Sequence, residues 1–453
     1  MPSDAPTRTH ITSLLSNAKE DLNVTAQGWI KTSRFSKNVS FLHIFDGTGP
    51  DAIQIILDDT HADLRSQLGI GTAVRIQGKW VRSPGGKQDW EILADQITIV
   101  GSCDPSNYPL QKKRTSFEHL RTIAHLRPRT NTFQSLFRVR NALAWQIHKF
   151  FQERSFLWIH TPIIASSDCE GAGEMFQVSA PDATGADFFG QPTFLTVSGQ
   201  LEVECFAQAF TNVYTFGPTF RAENSNTVRH ANEFWMIEPE IAFADLNDVI
   251  NLAEDFIRTI TLETIAQCPG DFEFFNTRIQ KGVVEQVTAN VSKPFARITY
   301  AEAQEILQKS GQSFEYPVGM GTHLQLEHER FLAEEHFKGP VFVTDYPADQ
   351  KAFYMRLNDD GKTMAATDLL VPRLGEIIGG SQREERLDVL QNQMNLRGMP
   401  EAPYWWYMDL RRYGSAPHGG FGLGFERMLM WLTGIKNIRD AIPYPRTPGN
   451  AEF

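Results

Sequence analysis

The densest chemical stretch of the chain is a polar segment between two apolar runs, residues 220–240 (FRAENSNTVRHANEFWMIEPE). Side chains two apart on a strand face the same way, so Arg221 and Glu223 are expected on one face. Phe234 and Glu238 are expected to share a face of the second strand. Arginine suits bidentate phosphate contact, glutamate can accept from an amine, and an aromatic ring can stack on a base. The segment predicts a nucleotide-binding hairpin, with a surface hairpin closed by a salt bridge as the alternative.

A glycine-rich run, residues 419–427 (GGFGLGFER), leads into an apolar helical pattern at 428–432. Glycine lets the backbone approach a ligand or another strand, and a helix N-terminus attracts anions. Arg427 falls in the first turn of that helix, which favours a second phosphate contact over an ordinary strand–helix turn. The chain has no GxxxxGK[ST] phosphate loop, and the glycine run lacks the downstream acid of a dinucleotide fold.

Further polar groups lie at predicted strand ends and loops. Asp368 and Glu376 stand eight residues apart on neighbouring predicted strands and could share a magnesium ion, or form an unrelated surface pair. Residues 170–174 (EGAGE) begin with Glu170, and Ser198 and Gln200 follow a predicted strand. This glycine-rich loop is either a mobile lid or a plain loop.

The elements that must position these groups fall into two domains. Residues 1–105 contain five strand candidates, which predict a small Greek-key barrel of the OB type; they are 24–30, 39–47, 52–57, 73–81 and 90–100. Residues 106–131 form a basic hinge linker, either solvated or in contact with phosphates. Its six cationic side chains are Lys112, Lys113, Arg114, Arg121, Arg127 and Arg129.

Residues 132–453 mix strands and helices in an order typical of an α+β domain built on an antiparallel sheet. Apolar spacing predicts a helix over 135–155, followed by an apolar strand at 156–164 that contains Pro162. A proline cannot donate to a strand ladder, so this strand is expected at an edge or interface. Further helices are predicted at 246–267, 300–309, 325–338, 383–396 and 424–434.

Composition narrows the function classes. The 453 residues carry a formal net charge of −11, so nucleic acid, if bound, is held by local positively charged patches and not by the electrostatic field of the whole protein. The four cysteines are widely spaced, which predicts free thiols in a reducing compartment. The N-terminus lacks the apolar core of a secretory signal, and no run reaches the roughly 18 apolar residues of a membrane span. We expect a cytoplasmic protein without a membrane partner.

The order of these motifs resembles that of the class II aminoacyl-tRNA synthetases. That family has a helix–strand ending in proline (here 135–164), an arginine-flanked hairpin (216–242), and a glycine-rich strand–helix with arginine (419–434). Over nearly its whole length the chain is similar to the asparaginyl branch of that family. The segments that carry this likeness are CEGAGEMF, FLTVSGQL, TFGPTFRAENSNTVRHANEFWMIEPE, EIIGGSQREERL and GFGLGFERMLMWLTGIKNIRDAIPYPRTP. The HIGH and KMSKS signatures of class I are absent.

The resemblance implies that the hairpin and the glycine-rich helix bind ATP. Arg221 would hold the α-phosphate and Arg427 the γ-phosphate. Glu223 would meet the adenine amine, and Phe234 would stack on the adenine ring. His230 would help to hold the outer phosphates.

The resemblance also implies a magnesium site at Asp368 and Glu376, and it makes Glu376 a catalytic residue together with Arg221 and Arg427. One more residue separates the two acids here than in the related aspartyl enzymes, which leaves Asp368 open as a ligand.

For the amino acid, the resemblance assigns the α-ammonium group to Glu170, Ser198 and Gln200. Arg383 would donate to the side-chain carbonyl oxygen. Glu238 would accept from the asparagine amide and repel the carboxylate of aspartate. The implied reaction forms asparaginyl-adenylate from L-asparagine and ATP, then transfers the acyl group to the terminal ribose of tRNA-Asn.

The resemblance makes the barrel the anticodon reader. Phe41 would stack on a base, or else be an ordinary aromatic of the barrel core. Gln54 would pair with a base edge and Arg34 would contact phosphate. The segment 135–164, with Pro162, matches the homodimer interface of this class.

Three other functions remain open at this stage: an aspartyl enzyme of relaxed specificity, an amide ligase on the same fold, and a catalytically inactive RNA-binding module.

Overall fold

The computed structural model describes residues 8–16, 21–86, 88–111, 115–171, 174–180 and 188–453. Residues 112–114 of the predicted linker and 172–173 of the predicted glycine-rich loop lie outside this described part. The chain divides into two compact units, Met1–Ser135 and Leu136–Phe453. The four cysteines are free thiols, as predicted. Within the described ranges, no helix is long and apolar enough to cross a bilayer.

The first unit is a closed five-stranded barrel preceded by a short helix, α1 (Ile11–Ser16). Its strands are β1 (Leu22–Phe35), β2 (Ser40–Phe45), β3 (Ile53–Leu57), β4 (Ala73–Arg82) and β5 (Trp90–Gly101). They close in the order β1-β2-β3-β5-β4, with β3 and β5 parallel and the other pairs antiparallel. All five predicted strands are confirmed. Their apolar residues alternate because each strand buries one face in the barrel core.

Alternation decides which barrel residues are available to a ligand. Leu42 and Ile44 of β2 and Ile55 of β3 are fully buried in the barrel core. Phe41 directly precedes Leu42 and Gln54 directly precedes Ile55, and both are only half-buried, because they point to the outer face. Phe41 is therefore not a core aromatic of the barrel.

The predicted linker is more structured than a hinge. It contains a short helix, α2 (Phe117–Thr122), capped by the Ser116 side chain, which accepts from the backbone N–H of His119. Arg127 is fully buried, and its guanidinium lies 4.4 Å from the centroid of the Phe133 ring. Burial against an aromatic face removes Arg127 from both predicted roles, a solvated charge and a phosphate contact.

The second unit is built on an eight-stranded sheet with a small three-stranded sheet beside it. The strands are β6 (Leu157–Trp158), β7 (Ile164–Ala165), β8 (Gln177–Val178), β9 (Thr193–Leu195), β10 (Asn212–Phe220), β11 (Glu233–Ala242), β12 (Ala296–Thr299), β13 (Val341–Pro347), β14 (Thr363–Val371), β15 (Gly375–Gln382) and β16 (His418–Gly424). The large sheet runs β12-β13-β14-β15-β16-β11-β10-β6. Its six central strands are antiparallel, as predicted, whereas the edge strands β12 and β6 pair in parallel.

Helices cover this sheet and link its strands. They are α3 (Asn131–Glu153), α4 (Gln200–Phe210), α5 (Leu246–Gln267), α6 (Pro269–Arg278), α7 (Val283–Val291), α8 (Tyr300–Lys309), α9 (Leu326–Arg330), α10 (Leu387–Leu396), α11 (Trp405–Arg412), α12 (Phe425–Thr433) and α13 (Ile438–Ala441). A π-helical turn, Phe331–His336, extends α9. α3 and α5 meet through the buried rings of Phe150, Phe151 and Phe256.

Two predicted elements are wrong in detail. The apolar strand predicted at 156–164 is two separate two-residue strands, β6 and β7, with Pro162 exposed between them. Proline has no N–H to donate, so the ladder stops there. The helix predicted at 383–396 begins only at Leu387. The chain first leaves β15 through Arg383, whose side chain is buried in an ion pair with Glu240.

Candidate active site

A cavity of about 730 Å³ opens on the large sheet, among residues of the β10–β11 hairpin, β14, β15, β16 and the segment 349–355. It gathers all twelve residues of the second unit that the sequence assigned to ATP, metal or amino acid. They are Glu170, Ser198, Gln200, Arg221, Glu223, His230, Phe234, Glu238, Asp368, Glu376, Arg383 and Arg427. These residues span more than 250 positions of the chain, and the sheet brings them to one place.

The hairpin presents one face of β11 to the cavity. Phe234 pairs with Thr219 in register, and Phe234, Met236 and Glu238 line the cavity in alternation. Arg221 follows the last residue of β10, and its backbone N–H donates to Asn232 O at 3.0 Å. Its guanidinium lies 5.3 Å from the centroid of the Phe234 ring. The hairpin therefore places a cation beside an aromatic face, which suits a phosphate next to a base.

Arg221 already has a carboxylate partner. Its Nη2 donates to Glu170 Oε1 at 2.5 Å. Burial raises the pKa of Glu170, and the Arg221 charge opposes that rise. The pair ties the start of the glycine-rich loop to the hairpin, so the predicted ammonium-binding acid and the predicted phosphate-binding cation share one corner of the cavity.

The buried end of the cavity is acidic. Glu238 is 5% exposed and accepts from the Ser198 hydroxyl and from the Gly199 backbone N–H, the latter at 3.1 Å. Burial raises the pKa of the Glu238 carboxyl, and these two hydrogen bonds oppose the rise. Because Ser198 and Gly199 lead into α4, the carboxylate also lies near the positive end of a helix.

A buried ionic network stands behind this end, and sequence reasoning missed its acids. Arg383 donates Nε to both oxygens of Glu240 at 3.2 Å, with Nη2 adding a further bond, and it donates Nη1 to Ser381 Oγ at 2.7 Å. Glu204, fully buried on α4, accepts from Gln200 Nε2 at 3.0 Å. The other groups that contact Glu204 are Arg383, Tyr407, Arg411 and His418. This network fixes the positions of Gln200 and Arg383.

One signal could have revealed these acids. Glu204 and Glu240 each lie within apolar sequence, LEVECF and EPEIAF. A buried carboxylate requires a partner, so an acid on an apolar face indicates a polar network within the core.

The phosphate end of the cavity is built from α12 and the hairpin loop. Arg427 Nη1 lies 3.2 Å from Glu376 O and 3.5 Å from Glu376 Oε2. His230 Nδ1 contacts Thr227 Oγ1 at 2.5 Å and Ser225 Oγ at 3.2 Å. Burial lowers the pKa of His230, and the Arg427 charge adds to the effect. His230 is therefore suited to hydrogen-bond a phosphate as a neutral ring.

The glycine run of β16 lies against the neighbouring strand and also lines the cavity. A Cβ placed on Gly420 would stand 2.1 Å from Pro239 O, and one on Gly422 would stand 2.5 Å from Met236 Cε. Both contacts are with the neighbouring strand β11. Gly422 and Gly424 also line the cavity, so the glycines allow close approach both to a strand and to a ligand.

The two predicted metal ligands converge, but one is already paired. The register of β14 and β15 shifts between Leu369 and Leu370, so Ile377 has no partner in the ladder between the two acids. A Cβ placed on Gly379 would stand 3.4 Å from Glu376 Oε1 and 3.6 Å from Asp368 Oδ1, so both carboxylates point to one spot. Asp368, however, accepts from Lys351 Nζ at 2.8 and 2.7 Å. Within the described residues, no three His, Cys, Asp or Glu side chains form a metal-binding group.

Lys351 is a cavity residue that sequence reasoning did not find. It lies in the segment ADQKAF after β13, which has no motif to mark it. Only the fold brings its ammonium to β14, 17 positions further along the chain.

The barrel residues assigned to nucleic acid share its outer face. Arg34 of β1 pairs in register with Phe41 of β2, and Phe41 pairs with Ile56 of β3. Gln54 lies two residues from Ile56 on the same face, where its Nε2 donates to Glu91 Oε2 at 2.9 Å. A cation, an aromatic ring and an amide therefore lie side by side, which is the composition of a single-strand-binding surface.

Comparison with known proteins matches both units. Residues 118–448 match the family model described as "tRNA synthetases class II (D, K and N)", and residues 24–100 match an OB-fold nucleic acid binding domain. An asparagine–tRNA ligase of Thermosynechococcus vestitus is 56% identical, with 95% of this chain and 96% of the relative covered. An asparagine–tRNA ligase of Clostridium beijerinckii is also 56% identical, with 98% and 99% covered.

A solved structure extends the likeness to three dimensions. The asparaginyl-tRNA synthetase of Pyrococcus horikoshii, complexed with asparaginyl-adenylate, has a TM-score of 0.88 and 30% identity to this chain. The match covers 98% of this chain and 99% of the archaeal one.

Proposed function

The chain belongs to the class II tRNA synthetases of the D, K and N group, and from this premise we infer that it is an asparagine–tRNA ligase. It joins L-asparagine to tRNA-Asn at the expense of ATP. Asparagine is proposed as the amino acid because Glu238 is a buried carboxylate at the closed end of the cavity. An acceptor at that place pairs with an amide NH₂ and repels a carboxylate.

In the first step, the asparagine carboxylate attacks the α-phosphorus of ATP. An oxygen–phosphorus bond forms, the bond to the β-phosphate oxygen breaks, and pyrophosphate leaves. The nucleophile is already ionised at neutral pH, so no side chain has to remove a proton. Catalysis rests on position and on charge neutralisation by Arg221 at the α-phosphate and Arg427 at the γ-phosphate.

The adenosine lies along the hairpin. The Phe234 ring lies 5.3 Å from the Arg221 guanidinium, and this distance supports base stacking on Phe234 beside phosphate binding by Arg221. Glu223 lines the same cavity and accepts from the adenine amine. His230, whose Nδ1 is held by Thr227 and Ser225, donates from its other ring nitrogen to the outer phosphates as a neutral ring.

The amino acid lies between the loop and the buried network. Glu170, Ser198 and Gln200 bind the α-ammonium group. Glu240 accepts from Nε and Nη2 of Arg383 and so fixes the orientation of the guanidinium. In this position Arg383 donates to the side-chain carbonyl oxygen of asparagine. Glu238 accepts from the amide NH₂ on the other side.

In the second step, the terminal ribose hydroxyl of tRNA-Asn attacks the carbonyl carbon of the adenylate. An ester bond forms, the bond between the carbonyl carbon and the phosphate oxygen breaks, and AMP leaves together with the proton of the hydroxyl group. By resemblance to this class, the attacking group is the 3′-OH.

Magnesium fits this site at Glu376, whose carboxylate is partly exposed to the cavity. Held there, the ion would neutralise charge on the phosphates. Asp368, the second predicted ligand, is bound by Lys351 through both oxygens.

The barrel binds the anticodon through its outer face. Phe41 stacks on a base, Gln54 reads a base edge, and Arg34 contacts a phosphate. The half-buried position of Phe41 supports this assignment, because a core ring could not meet a base. An anticodon barrel also argues against the amide ligase alternative.

We further propose a cytoplasmic homodimer. Four apolar side chains are exposed around Pro162 in the segment 157–164, and a surface of this kind indicates an interface. They are Leu157, Trp158, Ile163 and Ile164.

ATP–pyrophosphate exchange, measured with asparagine and with aspartate, tests the proposed reaction. Exchange that depends on asparagine alone supports it. Exchange with aspartate alone would place the chain with the aspartyl or amide-forming relatives, and exchange with neither would leave an RNA-binding module.

A further inference from the structure

The active site contains a cation that the reaction described above does not use. Lys351 Nζ donates to both oxygens of Asp368, at 2.8 and 2.7 Å, and lies 3.8 Å from the centroid of the Tyr346 ring. The Lys351 and Asp368 side chains are only 15% and 16% exposed. A buried ammonium with two charge-assisted hydrogen bonds and an aromatic face is a built ion pair, not a chance surface contact.

This ion pair stands where the site concentrates negative charge. The carboxylates of Asp368 and Glu376 converge on Gly379, and Glu329 Oε2 accepts from the Glu376 backbone N–H at 3.1 Å. Mutual repulsion of such acids in a buried site is relieved by a cation. At Glu376 the neighbouring cation is Arg427, at the longer distance of 3.5 Å. At Asp368 the cation is Lys351, in direct contact with both oxygens.

A divalent ion and the Lys351 ammonium would compete for the same two oxygens. A metal that bound Asp368 would have to displace the ammonium, which would then stand unpaired and buried beside a second positive charge. Removing one partner of a buried pair is strongly unfavourable. The ammonium and the metal therefore exclude each other at Asp368, while Glu376 stays available.

We infer that Lys351 supplies at Asp368 the positive charge that a metal ion would otherwise supply. The divalent ion of the nucleotide complex is then held through Glu376 without Asp368, although the two carboxylates converge on one spot. This inference rests on the proposed function only in requiring ATP in this cavity.

The test measures the Kd of Mn²⁺ for the protein saturated with α,β-methylene-ATP, from the electron paramagnetic resonance signal of free Mn²⁺. Lys351→Met frees the Asp368 carboxylate to join Glu376 on the ion, and we expect the Kd of Mn²⁺ to fall about tenfold. The double variant Lys351→Met with Asp368→Asn should return to the Kd of the unchanged protein, because the freed carboxylate is gone.

The opposite pattern would overturn the inference. If the double variant binds Mn²⁺ more weakly than the unchanged protein, Asp368 is a metal ligand in the unchanged protein. If Lys351→Met binds Mn²⁺ no more tightly, the ammonium does not keep the ion from Asp368. Lys351→Gln also removes the charge and replaces Lys351→Met should that variant fail to fold.

Two controls complete the design. Lys351→Arg keeps the charge and should leave the Kd of Mn²⁺ unchanged. Lys362→Met makes the same chemical change at an exposed position near β14 and should also have no effect.

Binding of the analogue itself, measured by equilibrium dialysis, separates the two proposals. No analogue binding by the unchanged protein contradicts the proposed function. Analogue binding with equal Mn²⁺ affinity in every variant contradicts only the role of Lys351.

Discussion

Replacing Glu238 by glutamine tests how the cavity tells asparagine from aspartate. The substitution keeps the shape of the side chain and removes its charge. Both oxygens of Glu238 accept now, one from the Ser198 hydroxyl and one from the Gly199 N–H. In the variant, the amide oxygen has to face Gly199, whose N–H cannot rotate. The new NH₂ then faces Ser198, whose hydroxyl can turn to accept, so the fold tolerates the change.

The expected effect differs for the two amino acids. Asparagine exchanges a hydrogen bond to a buried charge for a neutral one, a loss of about 1.5 kcal/mol. Aspartate no longer meets a buried like charge, a gain of about 3 kcal/mol. At about 1.4 kcal/mol per tenfold, kcat/KM should fall about tenfold for asparagine and rise about 100-fold for aspartate. The asparagine preference then falls on the order of 10³-fold.

The assay is ATP–pyrophosphate exchange with each amino acid at the same pH. Glu233→Gln is the matched control, because Glu233 lies on the same strand and lines no part of this cavity. It should leave the preference unchanged. An unaltered preference in Glu238→Gln would refute the reasoning, since it would mean that the carboxylate does not face the substrate side chain.

Three further predictions concern other parts of the molecule. Phe41→Ala should lower tRNA charging efficiency by about 1–3 kcal/mol, roughly 5- to 150-fold, and leave pyrophosphate exchange unchanged; an equal loss in both assays would contradict anticodon stacking. Glu204→Gln should lower the free energy of unfolding by about 3–5 kcal/mol, because Arg411 keeps its buried charge without a full counter-charge. It should also raise KM for asparagine, because Glu204 holds Gln200 in place. An unchanged melting temperature would contradict this prediction. The asparagine preference should fall as pH is lowered from neutral, since burial raises the pKa of Glu238. The protonated carboxyl no longer repels aspartate, and it accepts from an amide only as a neutral group. Glu238→Gln should abolish this pH dependence, and a preference that is flat with pH in the unchanged protein would count against it.

The features that the sequence predicted correctly depend on local patterns. Strict alternation marks the barrel strands, because a strand with one buried face must alternate. The cavity residues of the hairpin were found for the same reason: Phe234 and Glu238 are separated by an even number of positions on one strand. Family resemblance then placed Glu170 and Arg383 in the same cavity, and the structure brings them there.

The features that the sequence did not predict depend on contacts between distant segments. Lys351 carries no motif, and its bond to Asp368 exists only because β13 and β14 pair. The sequence predicts Arg127 as a cation at the surface, but in the structure its guanidinium packs against the Phe133 ring. Glu204 gathers partners from α4, α11 and β16, so no window of the sequence contains the network.

The strand β12 and the parallel pairing of both edge strands escaped prediction for a related reason. β6 and β12 pair in parallel at the two ends of the large sheet, and neither is longer than four residues. So short a strand carries little periodicity to read. The antiparallel centre, where strands run for seven to ten residues, was predicted correctly.

Charging of transfer RNA tests the central claim most directly. Purified tRNA-Asn and tRNA-Asp are each incubated with the protein, ATP, magnesium and either radiolabelled asparagine or radiolabelled aspartate. We predict that label enters tRNA-Asn from asparagine and enters neither tRNA from aspartate. Aspartate attached to either tRNA at a comparable rate would contradict the account, because the buried Glu238 carboxylate would then fail to exclude it.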